Sequence, residues 1–260
     1  MSAGPLAGRG ILITRPAEQS EGLAAVVEAQ GGNAILFPAL AIAPPENTRA
    51  LAHAIGNLRD YDLIIFISPT SVERVWPFIL ERHGDWPHGF ALAAVGQGTA
   101  RALASYGAGT VLVSAAGADS ESLLDLPALC ELAGKHILIV RGEGGREMLA
   151  DTLRQRGATV AYAEAYRRVK PLADARPLLA LWRRNAIQAV TVTSREIVAN
   201  LFELLGQEGA ELLRATPLFA MHERIAAAAR DRGVTTVIVT PPGDAGLVAG
   251  LLDWYSVRHD

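Results

Sequence analysis

The chain repeats itself. Residues 134–169, GKHILIVRGEGGREMLADTLRQRGATVAYAEAYRRV, read as strand, polar loop, amphipathic helix, glycine stop and second strand, a βαβ unit of the kind that builds parallel sheets. Subtracting 126 from each number finds the same pattern near the N-terminus: Ile137, Leu138 and Ile139 fall on Ile11, Leu12 and Ile13, Arg141 on Arg15, Leu149 on Leu23 and Gly157 on Gly31. The shift holds elsewhere without a gap. Ser194 falls on Ser68, Val198 on Val72, Ala226 on Ala100, Gly233 on Gly107, Val237 on Val111, Gly243 on Gly117 and Pro171 on Pro45. A chance match in one segment would not extend to the others, so two copies of about 126 residues account for nearly the whole chain.

Hydrophobic patterning gives ten strands alternating with helices: 10–14, 33–37, 62–67, 90–95, 110–113, the two of the central unit, 187–192, 217–221 and 235–239. That alternation predicts parallel sheets covered on both faces. Helices are expected over 17–30, after a cap at Asn47 or Thr48, after Ser68 or Thr70, and over 119–133. A boundary between the copies near Gly134 would have almost no linker. The proline-bearing segments 38–44 and 166–171 are the better hinges, because proline cannot continue a helix and fits a central strand poorly. Cutting there leaves 45–165 as one domain and 1–37 with 172–260 as a discontinuous second, five strands in each. One is then a circular permutation of the other, and the chain passes between them twice.

With 260 residues, half of them hydrophobic, each domain can bury a sizeable core. The net charge of −3 argues against a nucleic-acid or membrane-surface partner, so an anionic ligand must be met by local positive groups. Cys130 is the only cysteine, which excludes an internal disulfide and a cysteine-based metal site. Set among Leu126, Leu129 and Leu132, it is expected to be a small buried side chain. The start, MSAGPLAGRG, has no apolar core of signal-peptide length, and no run reaches the roughly 18 apolar residues of a membrane span. A cytoplasmic protein is expected.

In an open parallel sheet, ligands sit beyond the carboxyl ends of the strands, where helix N-termini present unpaired N–H groups. The residues falling there are Thr14 and Arg15, Ser68, Gln97 with Gly98 and Thr99, Arg141 and Gly142, Thr193 and Ser194, and His222 with Arg224. This mixture suits an anionic ligand. Ser68, Ser194 and Thr99 equally suit helix capping, and Arg15 and Arg141 equally suit pairing with a local carboxylate. Neither glycine stretch makes a nucleotide motif: Arg101 stands at the third glycine position after Gly96 and Gly98, and 142–145 lacks a following Gly-Lys-Ser/Thr. The histidines (His53, His83, His88, His136, His222, His259) show no metal-ligand spacing, and no metal or other cofactor is expected. There is no G-x-S-x-G and no obvious acid pair. Such equipment favours a reaction that depends on folding the substrate rather than on aggressive acid–base chemistry.

Taken together in order and spacing, ILITRP at 11–16, DLIIFISPTSV at 62–72, AVGQGTA at 94–100, IVRGEGGREML at 139–149, AYRRV at 165–169 and RIAAAARDRG at 224–233 resemble the uroporphyrinogen-III synthase family over almost the whole chain. The resemblance implies two flavodoxin-like α/β domains joined by a two-stranded β-ladder. It implies an enzyme of tetrapyrrole biosynthesis that takes hydroxymethylbilane, a linear tetrapyrrole, and closes it to uroporphyrinogen III with loss of water and inversion of ring D; a monomer is expected. A pyrrole nitrogen can expel the hydroxyl to leave an azafulvene cation; the enzyme must then hold the chain so that closure occurs at the substituted carbon through a spiro intermediate. Orienting an intramolecular reaction can contribute up to about 7–11 kcal/mol. The substrate is a polycarboxylate, which Arg15 and Arg141 would anchor. By motif, Tyr166 corresponds to the tyrosine that helps the hydroxyl leave, although a tyrosine there also suits packing of the ladder. In one loop the chain departs from the family: the second-half G-x-x-T-A, kept at Gly96–Ala100, is His222-Glu223-Arg224-Ile225-Ala226. The role of the missing threonine hydroxyl would pass to His222, Arg224 or main-chain N–H groups. A non-catalytic two-domain sensor or binding protein for an anionic small molecule is the alternative, and a nucleotide-dependent transferase is disfavoured by the incomplete glycine motifs.

Overall fold

Short apolar runs such as GILI at β1 (Gly10–Ile13) and LIIF at β4 (Leu63–Phe66) form the inner strands, and the computed structural model describes residues 4–117, 119–145 and 147–256. β1 (Gly10–Ile13), α1 (Glu21–Ala29) and β2 (Asn33–Leu36) open the chain, with a 3-10 turn at Ala17–Gln19. β3 (Ala41–Ala43), α2 (Thr48–Gly56), β4 (Leu63–Phe66), α3 (Pro69–His83), β5 (Ala91–Ala94), α4 (Gln97–Ser105), β6 (Val111–Val113) and α5 (Ser120–Leu124) follow. The central unit is β7 (His136–Gly142), α6 (Met148–Gln155) and β8 (Thr159–Val169). The rest runs α7 (Arg176–Arg183), β9 (Ala189–Val192), α8 (Arg195–Ala215, broken at Gly206), β10 (Leu218–Ala220), α9 (Glu223–Arg230), β11 (Val237–Val239) and α10 (Gly243–Ser256).

These elements form two units, one from the chain up to Ala41 together with the chain from Val169 onward, the other from Ile42 to Arg168. The first holds a five-stranded sheet, β11-β10-β9-β1-β2; the second a six-stranded sheet, β3-β8-β7-β4-β5-β6. The repeat is written into the ladders themselves. Gly10 lies opposite Asn33 as His136 lies opposite Thr159, Ile11 opposite Ala189 as Ile137 opposite Leu63, and Leu218 opposite Val237 as Leu92 opposite Val111, all parallel. Every counterpart is 126 residues away. With β7 and β8 taking the places of β1 and β2, both sheets have the strand order 2-1-3-4-5, and the second unit is entered at its third strand. The order reverses between β1 and β9, and between β7 and β4, which is where ligands of such sheets bind.

Strict alternation divides the core across each sheet. Ile11 and Ile13 pack on one face with Leu23 and Leu251, while Leu12 packs on the other with Leu201 and Phe202. In the second unit Ile64, Phe66, Leu138 and Val140 share a face with Val72 and Ile79, whereas Leu63, Ile65, Ile137 and Ile139 meet Leu149 and Leu153. Both faces being covered explains why these strands read as unbroken apolar runs.

Three expectations need correction. The second sheet has six strands, not five, because Ala41–Ala43 in the segment read as a linker adds to the edge beside β8, which itself runs on to Val169. Pro38, Pro44 and Pro45 flank those residues without interrupting them, and an edge position tolerates such neighbours. The helix expected over 119–133 is α5 ending at Leu124, then a 3-10 turn at Pro127–Leu129, since Pro127 cannot continue the helix. Cys130 is consequently exposed rather than buried, while Leu129 and Leu132 take the interior positions. Among the described residues, no helix is long and apolar enough to cross a membrane.

Asp62 ties the start of β4 to the start of β7. It accepts from the His136 N–H at 2.8 Å and from Lys135 Nζ at 2.9 Å, and the backbone bond first, the lysine second, hold its carboxyl below the usual range. Asp119, which caps α5 through Ser122, and Glu203, paired with Lys170, are lowered likewise. Native values below the unfolded ones mean that the unfolded chain binds more protons, so this stability is present above the ordinary carboxylate pKa and is lost as pH falls through the native values. The melting temperature is expected to be level from about pH 6 to 8 and to drop below about pH 4. A level melting temperature down to about pH 3 would contradict these pairings.

Candidate active site

In the second unit, Ser68, Arg141, Gly142 and Tyr166 come together at the carboxyl ends of β4, β7 and β8. Ser68 is the N-cap of α3: its Oγ accepts from the Ser71 N–H at 3.1 Å and Ser71 Oγ closes a capping box on the Ser68 N–H. The Ser68 Oγ is also 3.3 Å from the Tyr166 hydroxyl, and either oxygen can be the donor. The phenol therefore sits at the positive end of α3, linked to it through one serine. Tyr166 is buried, with 4% of its surface exposed.

A bulge aims that ring. The β7–β8 register shifts between Arg141 and Gly142, so that Gly142 lies opposite Tyr166, whose carbonyl accepts from the Glu143 N–H at 2.8 Å. Alternation alone would put Tyr166 on the face of Tyr162; instead it packs with Ala163 and Ala165, and Tyr162 packs on the opposite face. Gly142 is the floor beneath the ring. A methyl at 142 would stand 2.7 Å from Tyr166 Cε2 and Cζ and 3.1 Å from its hydroxyl.

Arg141 is buried, its guanidinium 3.7 Å from the centroid of the Tyr162 ring. Nη1 donates to Glu147 Oε1 at 2.9 Å and to the Gly145 carbonyl at 3.3 Å, while Tyr162 Oη donates to Glu147 Oε2 at 2.5 Å. Tyr162 first and Arg141 second hold the Glu147 carboxyl below its ordinary range, and burial followed by the bond to Glu147 raises the Tyr162 phenol. Arg141, Gly142, Tyr162, Tyr166 and Arg168 all line a cavity of 260 Å³. Thr99 is buried and donates to the Val95 carbonyl at 2.9 Å, so its hydroxyl is committed to the turn; Gln97 and Gly98 are exposed, Gln97 Nε2 reaching the Ser114 carbonyl at 3.4 Å.

The first unit repeats the arrangement with different ends. Thr14 is fully buried and donates to the Thr191 carbonyl at 2.7 Å. Arg15 is gripped by Asp244, Nη1 to Oδ1 at 2.6 Å and Nη2 to Oδ2 at 2.9 Å. Ser194 caps α8 as Ser68 caps α3, its Oγ accepting from the Ile197 N–H at 3.1 Å, with Thr193 half-buried beside it. His222 caps α9 through Nδ1, which accepts from the Arg224 N–H at 3.0 Å; both side chains are exposed. Ile225 holds the place of Thr99, and what is lost there is the hydroxyl that would bond to the turn. Arg146 of the 139–149 motif and His259 lie outside the described residues.

Glu147, Tyr162 and Asp244 were not picked out by sequence reasoning. Tyr162 stands four residues before Tyr166, a spacing that places two residues of a regular strand on one face, but the bulge that separates them leaves no mark in composition.

Fold and site define a class: an internally duplicated, doubly wound α/β protein whose strand-end turns carry arginine, serine and tyrosine side chains. A sequence model described as "HEM4: Uroporphyrinogen-III synthase HemD" matches residues 21–249. The uroporphyrinogen-III synthase of Escherichia coli (strain K12) is 33% identical over 235 residues, covering 90% of this chain and 96% of that protein. The Synechococcus elongatus uroporphyrinogen-III synthase is 33% identical over 79% of this chain and 78% of its own length. In fold, the chain is similar to a mutant uroporphyrinogen III synthase from the extremely thermophilic bacterium Thermus thermophilus, with a TM-score of 0.58 at 18% identity over 96% of this chain and 99% of that one. The Helicobacter pylori 26695 uroporphyrinogen-III synthetase gives 0.56 at 16% identity, over 96% of this chain and all of that one. The chain belongs to the uroporphyrinogen-III synthase family.

Proposed function

We propose that this protein cyclises hydroxymethylbilane to uroporphyrinogen III, and that Tyr166 is its acid. The observation that carries the reaction is the 33% identity extending over 90% of the chain and 96% of the Escherichia coli enzyme. A binding protein without catalysis is not favoured by relatives that are named as enzymes at this coverage.

Hydroxide is a poor leaving group. The terminal pyrrole nitrogen supplies the electron pair that breaks the C–O bond, and the Tyr166 phenol supplies the proton, so that water departs and an azafulvene cation remains. Ser68, with one lone pair occupied by the Ser71 N–H, can donate its own hydroxyl proton to the phenol oxygen and so ease release of the phenolic proton. Attack by the substituted carbon of ring D forms the new C–C bond of the spiro intermediate. The bond from that spiro carbon to its original methylene bridge then breaks, leaving a second azafulvene cation, and the free α-carbon of ring D attacks that methylene; ring D is thereby inverted, and the proton lost on rearomatisation balances the one that Tyr166 gave. In this reading Thr14, Arg15, Gln97, Gly98, Thr193, Ser194, His222 and Arg224 belong to the substrate-facing turns, and the enzyme works as a cytoplasmic monomer without a cofactor.

The test is the isomer formed. Incubated with enzymatically prepared hydroxymethylbilane, followed by oxidation and separation of the porphyrins, the protein should yield type III product well above the no-enzyme control. Type I porphyrin alone, at the control rate, would reject the synthase and return the binding-protein alternative.

A further inference from the structure

The repeat supplies its own control for what an arginine at the switch point does. Arg15 and Arg141 are the same residue of the two copies, each about nine-tenths buried and each with an Nε that is buried without a hydrogen-bond partner among the described residues. They differ in how their forks are used. Both terminal nitrogens of Arg15 are taken by Asp244 in a two-point grip, so its charge and its geometry are committed to holding α10. Glu147 takes only Nη1 of Arg141, and Glu164 stands 3.8 Å from Nη2, beyond hydrogen-bond reach.

We propose that Arg141 is the receptor for one carboxylate side chain of the substrate in the 260 Å³ cavity of the second unit, and that Glu147 and Tyr162 are positioning residues that hold it ready; this rests on the polycarboxylate substrate of the reading above. The cavity has a charge pattern that selects the place. Asp119, Glu121 and Glu143 repel an anion, which leaves Arg141 and Arg168 to receive one. Ile139, Leu149 and Met148 on the same walls suit the flat apolar body of a pyrrole.

An arginine on a flexible stem loses conformational entropy each time it grips a carboxylate, and preorganisation removes that cost. Tyr162 provides it twice. Its ring face lies under the guanidinium, and its hydroxyl fixes the far oxygen of the Glu147 carboxylate that holds Nη1, closing a triangle of three side chains. In the first unit Asp244 replaces this triangle with a direct grip, and the equivalent arginine is locked instead of poised.

Steady-state turnover of hydroxymethylbilane by the full chain tests the proposal. Tyr162→Leu should raise KM about tenfold with kcat within about twofold, and Tyr162→Phe, which keeps the ring face, should return KM to within about threefold of wild type. Glu147→Ala, at an exposed position and with its melting temperature checked because the buried Arg141 loses a partner, should also raise KM and leave kcat, reading the same tether from the other side. Wild-type KM in Glu147→Ala, or a loss confined to kcat in a folded Tyr162→Leu, would overturn it. The function itself fails separately, on a wild-type protein that forms only type I porphyrin.

Discussion

Tyr166→Phe should lower kcat about 100-fold while KM and affinity for the product porphyrinogen stay within about twofold. The phenyl ring keeps the space above Gly142 and the packing against Ala163 and Ala165, so the fold should lose only the long contact with Ser68, worth about 0.5–1.5 kcal/mol. A drop in kcat with little change in melting temperature would then report the missing proton donor. Wild-type turnover in this variant would remove Tyr166 from the chemistry and leave it a packing residue of β8.

Gly142→Ala should be nearly as damaging, for a steric reason. The added methyl would lie 2.7 Å from two ring carbons of Tyr166, closer than any real contact, with the ring enclosed by β7, β8 and α3. Something must move, at a cost of about 1–3 kcal/mol for overpacking, and the ring is what stands in the way. We expect kcat to approach that of Tyr166→Phe. The double variant should be scarcely slower than either single one, because a displaced phenol and an absent phenol fail at the same step. Additive losses would show that Gly142 acts by some other route, such as the backbone of the turn at 143–145.

Much of this architecture was legible in the chain because the repeat and the sheet follow the same spacing. Residues 126 apart hold equivalent ladder positions, so the match of Ile137 with Ile11 already contained the pairing of β7 with β8 and of β1 with β2. Apolar runs bounded by glycine and proline gave the strands, and their carboxyl ends gave Arg15, Ser68, Arg141 and Ser194 as a group. What was hidden depends on single-residue events with no periodic signature. The bulge at Arg141 and Gly142 moves Tyr166 off the face of Tyr162. Pro127 divides a stretch whose leucines still fit a helical stripe, and so exposes Cys130. Partner choice was hidden as well: Glu147 reaches Arg141 across a glycine turn, whereas Asp244 reaches Arg15 from the far end of the chain, and neither spacing belongs to a recognised motif.

Those partners bear on how the reaction is controlled. A single phenol poised by a serine can assist departure of water, but it cannot choose which carbon of ring D is attacked. On the proposal above, that choice falls to the groups that would hold the substrate's side chains, with Arg141 as one of them. Rate and regiochemistry should therefore come apart when the acid is removed.

The product of the crippled enzyme tests this most directly. With the spontaneous background subtracted, the residual turnover of Tyr166→Phe should still give the type III isomer, formed slowly. Residual turnover that gives type I porphyrinogen would contradict the account, because the phenol would then be directing ring closure as well as promoting loss of water.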